Sequence, residues 1–139
     1  MRFLDANVFI YAFLKARHRL KAEDQAVKEA AQSIVSRVSK GERVLTTVVH
    51  MSEVFNFVED WLPIDEALKL EEGLLSNDAI EVEAVDREGY ISSIDLAKEN
   101  SMGLNDGLAV SVMEKNGISE IYSFDKHFEK IKGIKRVTK

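Results

Sequence analysis

An α/β sandwich of three layers, with a central and mostly parallel sheet covered by helices on both faces, is the fold this sequence predicts. Three observations predict it. Short apolar runs with strand character alternate with helical stretches of ten or more residues, the pattern of crossover connections between parallel strands. The 139 residues include 45% hydrophobic side chains, enough for a core in a chain that buries roughly two thirds of its unfolded surface. There is no cysteine, so neither disulfides nor thiolate-held metal stabilises it. The expectation is one domain over residues 1–139 built on four or five strands.

The elements follow in order. Arg2 to Asp5 is a short apolar strand, and from Asn7 the pattern turns helical, apolar through Leu14 and basic beyond it. A second helix runs from Ala22 to Ser39 and closes at Gly41, the residue type that most often ends a helix. Arg43 to Thr46 reads as the second strand and Val48 to Leu62 as a largely buried helix. The single proline, Pro63, separates this from a surface helix over Asp65 to Leu75. Ile80, Val82 and Ala84 alternate with acids, which marks a half-buried third strand. Asp86 starts a helix reaching about Asn100. Asn105 and Asp106 start another, which ends at Asn116-Gly117. Ile118 to Phe124 holds the fourth strand, Lys126 to Ile131 a short helix, and Ile134 to Val137 a last strand.

Repeats, low-complexity segments and linkers are absent from the sequence. The longest apolar run, Val8 to Leu14, has seven residues, against about 20 for a bilayer-spanning helix, so no membrane association is expected. Asp5 and Asn7 break the stretch that an export signal would keep apolar, and the expected location is the cytoplasm. A net charge of -5 argues against a generic nucleic-acid binder. The balance is uneven, however: +4 over residues 1–52, -10 over residues 53–88 and +1 over residues 89–139. Basic side chains cluster at Lys15, Arg17, Arg19 and Lys21, and again at Lys126, Lys130, Lys132, Lys135, Arg136 and Lys139. A solvated face is the ordinary explanation of either cluster.

In parallel sheets, ligands bind beyond the carboxyl ends of the strands, where the strand order reverses. Asp5 ends the first strand, Asp106 begins a late helix and Asp125 follows the fourth strand, so all three fall at that edge. Each could instead cap a helix, a role worth about 1 kcal/mol. Glu53 is harder to explain that way, because it projects from an apolar helix. No Lys or Arg lies between Thr46 and Leu68 to pair with it locally, and a buried unpaired charge is expensive. If the four carboxylates converge, one pair at about 5 Å costs on the order of 3 kcal/mol at an effective dielectric near 20. A divalent cation removes that penalty, and hard oxygen ligands point to Mg2+ or Mn2+ rather than zinc. His18, His50 and His127 read as surface or supporting positions.

These residues resemble the motifs of the PIN-domain ribonucleases, in particular the small toxins of the VapC type. Phe3-Leu4-Asp5-Ala6-Asn7-Val8-Phe9-Ile10-Tyr11 is similar to the family's opening motif. Thr46-Thr47 ahead of Ser52-Glu53-Val54 resembles the second, and Leu104-Asn105-Asp106-Gly107-Leu108-Ala109 the third. Tyr122-Ser123-Phe124-Asp125-Lys126-His127-Phe128, with Gly133-Ile134, is similar to the fourth and the closing strand. Three positions depart from the family pattern: Ala6 where Ser or Thr is common, Gly107 where Ala is usual, and Phe124 where Asn often precedes the last Asp. All four acids are present.

The resemblance implies a PIN-like fold and hydrolysis of single-stranded RNA by metal-activated water. Asp5, Asp106 and Asp125 would then hold one or two Mg2+ or Mn2+ ions, with Glu53 anchoring a metal-bound water or orienting the nucleophile. Asn7 and Ser123, each two positions from an Asp, would position these carboxylates, although local turns explain such residues equally well. Lys15, Arg17, Arg19, Lys21 and Lys126 are candidates for holding the RNA backbone. A small antitoxin protein and a homodimer are the implied partners. The competing readings are a PIN-fold scaffold that binds RNA or protein without catalysis and a receiver-type phosphoacceptor domain. The latter fits poorly, because that family carries an acidic pair after its first strand, whereas the second acid here is a helical Glu.

Overall fold

Side-chain alternation along five short strands decides which helices cover which face. The structure is a computed structural model that describes residues 1–14 and 20–139. Strands β1 (Arg2–Leu4), β2 (Val44–Thr47), β3 (Ile80–Glu83), β4 (Glu120–Tyr122) and β5 (Lys135–Val137) form one sheet in the order β3-β2-β1-β4-β5. Every neighbouring pair is parallel, so the expected sheet of four or five mostly parallel strands has five, all parallel. Phe3 lies opposite Leu45 and Ile121, and Leu4 opposite Tyr122. Because strand side chains alternate with a period of two, Phe3, Leu45 and Ile121 join one core with Leu108, Met113 and Phe128. Leu4, Val44 and Tyr122 join the other with Phe9, Ile34, Met51 and Val54.

The helices divide accordingly. Helices α1 (Ala6–Phe13), α2 (Ala22–Ser39), α3 (Val48–Trp61) and α4 (Ile64–Leu75) build the second core. Helices α5 (Arg87–Glu99) and α6 (Leu104–Lys115) and a 3-10 helix, Lys126–Lys130, cover the first. Five of the last eight residues of α6 are buried apolar side chains: Leu108, Ala109, Val110, Val112 and Met113. A helix apolar on more than one side must be covered on more than one side, and α5 provides the second cover. Gly107 sets how closely α5 approaches. A Cβ at this position would sit 2.8 Å from the Ser93 carbonyl oxygen and 3.0 Å from the Ala97 Cβ and amide nitrogen.

Helix α2 spans the residues its pattern predicts. It closes as expected at Gly41, whose φ of 112° is open to glycine at little cost; the Gly41 amide donates to Val38 O at 3.0 Å and the Glu42 amide to Arg37 O at 3.0 Å. Helix α3 differs from the expectation of a largely buried element. Met51, Val54 and Val58 are buried, but Ser52, Asn56, Glu59 and Asp60 are exposed and Val48 is 45% exposed, so it is amphipathic. The basic stretch after Leu14 that carries Lys15, Arg17 and Arg19 lies outside the described residues. Among the described residues no helix is long and apolar enough to cross a membrane.

With β2 on one side of β1 and β4 on the other, strand order reverses at the carboxyl end of β1. Asp5 follows β1 directly, and Asp125 follows β4 after Ser123 and Phe124.

Candidate active site

Asp5 occupies the N-cap position of α1 but makes no side-chain capping bond. Its carboxylate, 6% exposed, accepts instead from the Ser123 hydroxyl at 2.6 Å. Ser123 is fully buried, and its Oγ also accepts from the Asp125 amide at 3.0 Å and from Asn7 Nδ2 at 3.3 Å. Asn7 Oδ1 accepts the Phe124 amide at 3.3 Å. Asn7 and Ser123 thus tie the loop after β4 to the end of β1; Ser123 contacts the Asp5 carboxylate directly, whereas Asn7 reaches it only through the Ser123 hydroxyl.

Asp106 lies in the first turn of α6, after Gly103 at the N-cap. Asp125 is the one acid of the three that caps as a helix cap does: its Oδ1 accepts the His127 amide at 2.9 Å. The same oxygen lies 3.0 Å from His127 Nδ1. One donor atom each from Asp106, Asp125 and His127 falls within 4.8 Å of the others. Glu53, half-buried on α3, accepts from Asn105 Nδ2. Among the described residues it forms no ion pair with Lys or Arg, so the partner of this carboxylate is a neutral amide.

The electrostatics show that the acids act on one another. Burial pushes the Asp5 carboxyl up to about 7; the Ser123 hydroxyl opposes that rise, and the charges of Asp106 and Glu53 add to it. Asp106 is pushed up to about 6, first by burial and then by Asp125 and Glu53, with His127 opposing. Asp106 and Glu53 thus act on Asp5, and Asp125 and Glu53 on Asp106, while the close contact among donor atoms is that of Asp106, Asp125 and His127. The donor set is carboxylate oxygen with one exposed imidazole beside it, a chemistry suited to a hard divalent cation.

Three residues that frame this cluster were not among the site residues that sequence reasoning named, although His50 was read as a surface or supporting position and Asn105 falls within the third motif. His50 is 1% exposed; its Nε2 lies 3.0 Å from the Asn105 carbonyl oxygen and its Nδ1 2.7 Å from Thr47 Oγ1. A carbonyl only accepts, so Nε2 carries the proton and Nδ1 accepts from the Thr47 hydroxyl. Burial holds this imidazole down at about 4, hence neutral at physiological pH. Asn105 was read as a helix start and as part of the third motif, without a role of its own, and Tyr90, whose hydroxyl donates to Asn105 Oδ1, was not singled out. Partners 15 to 55 residues apart leave no local signal. Of the RNA-binding candidates, Lys21 is exposed at the N-cap position of α2 and Lys126 is exposed beside Asp125. A shallow groove of about 360 Å3 next to Asp125 is lined by Ala26, Ala30, Phe124, Lys126, Arg136 and Lys139.

Comparison with known families matches the PIN domain over residues 2–134. No curated protein sequence matches the chain. Among solved structures it is similar to Mycobacterium tuberculosis VapC20, a sarcin-ricin loop cleaving toxin, at a TM-score of 0.66 and 20% identity over 91% of each chain. It is also similar to a chain of a toxin-antitoxin complex from Klebsiella pneumoniae, at a TM-score of 0.67 and 12% identity over 97% of this chain and 96% of that one. At such identities these structures share the fold with it. The family match takes in β1 to β4 and all four clustered acids, and by that match the chain belongs to the PIN domain family.

Proposed function

We propose that this chain is a Mg2+- or Mn2+-dependent endoribonuclease that hydrolyses phosphodiester bonds of single-stranded RNA, and that it is the toxin of a type II toxin-antitoxin pair. Family membership supports a nuclease, and the shared fold with two toxin-system structures supports the toxin assignment. The observation that carries the reading is the convergence of Asp106, Asp125 and His127, whose donor atoms lie within 4.8 Å of one another, at the sheet edge where the buried Asp5 is held by Ser123; burial and neighbouring carboxylates push Asp5 and Asp106 up. Concentrating ionised acids in this way opposes folding unless a cation offsets their repulsion.

The residues present fit such a cation. Asp5, Asp106 and Asp125 would hold one or two ions, with Glu53 completing the oxygen set. When bound, a divalent ion lowers the pKa of water and neutralises charge developing on the phosphate. The chain's own residues prepare that chemistry. Ser123 holds one oxygen of Asp5 and fixes its orientation, the Asp125 backbone is tied to the same hydroxyl, and Glu53 is held through Asn105. Exposed Lys21 and Lys126 would hold the RNA phosphates, together with Lys15, Arg17 and Arg19. A small antitoxin would block this edge, and a homodimer is the proposed assembly.

The test is cleavage of single-stranded RNA with Mg2+ or Mn2+ by wild type, Asp5→Asn and Asp106→Asn, with circular dichroism to confirm folding. Wild type is expected to cleave and both variants to lose at least about a hundredfold in rate, the scale of a transition-state charge left unstabilised. Unchanged cleavage in both folded variants would overturn the assignment, and RNA binding without cleavage in either metal would favour the scaffold reading.

A further inference from the structure

We infer that Asn105 is a positioning residue for Glu53, and that Tyr90 sets the orientation of its amide; the inference rests on the nuclease reading above. A carboxylate only accepts hydrogen bonds, so the end of the Asn105 amide that faces Glu53 must be the NH2 group. The opposite end, Oδ1, then requires a donor, and the Tyr90 hydroxyl supplies it. Reversing the amide would set Oδ1 against the Glu53 carboxylate, so the two contacts enforce one orientation between them.

The Asn105 main chain is fixed as well. Its carbonyl accepts from His50 Nε2 at 3.0 Å, and His50 is anchored in turn by Thr47 at the N-cap of α3. Asn105 therefore joins three elements: α3, which carries Glu53; α5, which carries Tyr90; and α6, where the next residue is Asp106. Gly107 lets α5, the helix that carries Tyr90, approach α6 at Ser93 and Ala97 more closely than a side chain would allow. The choice of an amide is itself informative. Lys or Arg at this place would satisfy Glu53 but cancel the charge that a cation site uses. A neutral donor occupies Oε1 only, leaving the charge uncancelled and Oε2 free of protein donors among the described residues.

The experiment uses Tyr90→Phe, which removes one hydroxyl, and Asn105→Ala, with three readouts on the full chain. The first is the side-chain 15N-1H amide signal of Asn105 in metal-free protein. It should lie apart from those of exposed asparagines and should move in both Tyr90→Phe and Glu53→Gln. The second is Mn2+ affinity measured by calorimetry without RNA, expected to weaken about tenfold in Asn105→Ala, the lower end of what outer-sphere partners contribute to metal sites, and by less, about threefold, in Tyr90→Phe, which is one hydrogen bond further from Glu53. The third is RNA cleavage, where kcat should fall and KM stay within about twofold, because neither residue is offered to the RNA.

If Asn105→Ala does not fold, Tyr90→Phe alone decides. A merely structural tie between α5 and α6 predicts a lower Tm with Mn2+ affinity unchanged, and that result would overturn the inference. So would an Asn105 amide signal indifferent to Tyr90→Phe and Glu53→Gln. A wild type that neither binds Mn2+ nor cleaves RNA would instead overturn the nuclease reading, a failure distinguishable from that of the positioning role.

Discussion

Asp5 shows how much a single residue's meaning depends on what lies across the sheet from it. In sequence it reads equally well as a helix cap or as a ligand; in the fold it makes no cap bond and receives the Ser123 hydroxyl at 2.6 Å. Its carboxyl is raised from 3.8 to about 7, chiefly by burial. The metal-free native state therefore holds a proton that the unfolded chain releases. Stability arising from that proton is fully present below about pH 4 and is lost as pH rises through about 7. In chelator, wild type is expected to lose several degrees of Tm between pH 5 and 8. Asp5→Asn should flatten that fall and melt above wild type at pH 8, and a parallel pH dependence in the two proteins would refute the account. Ser123→Ala removes a bond that favours the ionised form of Asp5. Its metal-dependent activity should shift to higher pH, as a pH-rate profile would show, with an unmoved profile counting against the role given to Ser123.

At the scale of elements, the sequence located the six α-helices and five strands of the described residues to within a few positions, because periodicity and turn residues are local properties. Ala22 to Ser39 with Gly41 beyond it is the plainest instance. The amphipathic character of α3 was less legible: apolar Val48 and Trp61 count toward a buried helix in composition, yet they are 45% and 36% exposed. Glu53 was singled out for lacking a cation nearby in sequence, and among the described residues no Lys or Arg forms an ion pair with it. Its actual partner, Asn105, lies 52 residues away and is set by how α3 and α6 pack. Helix spacing also explains why a departure from the family pattern matters. Gly107→Ala restores the residue usual in the family, but its methyl would meet α5 backbone at 2.8 Å. Overpacking of this kind costs about 1–3 kcal/mol, so urea denaturation should show a clear loss of stability, whereas a change within experimental error would show that α5 yields freely.

Across the whole molecule, the net charge of -5 describes neither end of the site. The segment that carries -10 forms most of α3, all of α4 and the edge strand β3, while Lys126, Arg136 and Lys139 line a groove beside the opposite edge, near β5. RNA held through phosphates on that side should bind more weakly as salt rises. Lys126→Glu should raise KM several-fold with kcat nearly unchanged; a fall in kcat alone would place Lys126 in the chemistry instead. Mg2+ or Mn2+ should raise the wild-type Tm by ligand linkage, with a smaller gain in Asp106→Asn, and a Tm indifferent to both ions would argue against a convergent cation site. The basic run Lys15, Arg17 and Arg19 was legible as composition only, since it falls outside the described residues.

The strand order has a consequence for how the protein is made. β1 lies at the centre of the sheet and pairs with β4, whose residues are synthesised more than a hundred positions later. A ribosome delivers the chain from the amino end, so Asp5, Glu53 and Asp106 emerge before Ser123 and Asp125 exist. Until then Asp5 has neither its hydroxyl donor nor the strand that places it. A nascent chain is therefore incomplete at the cluster until β4 and the Ser123 to Asp125 turn after it have been added, however early the other acids emerge.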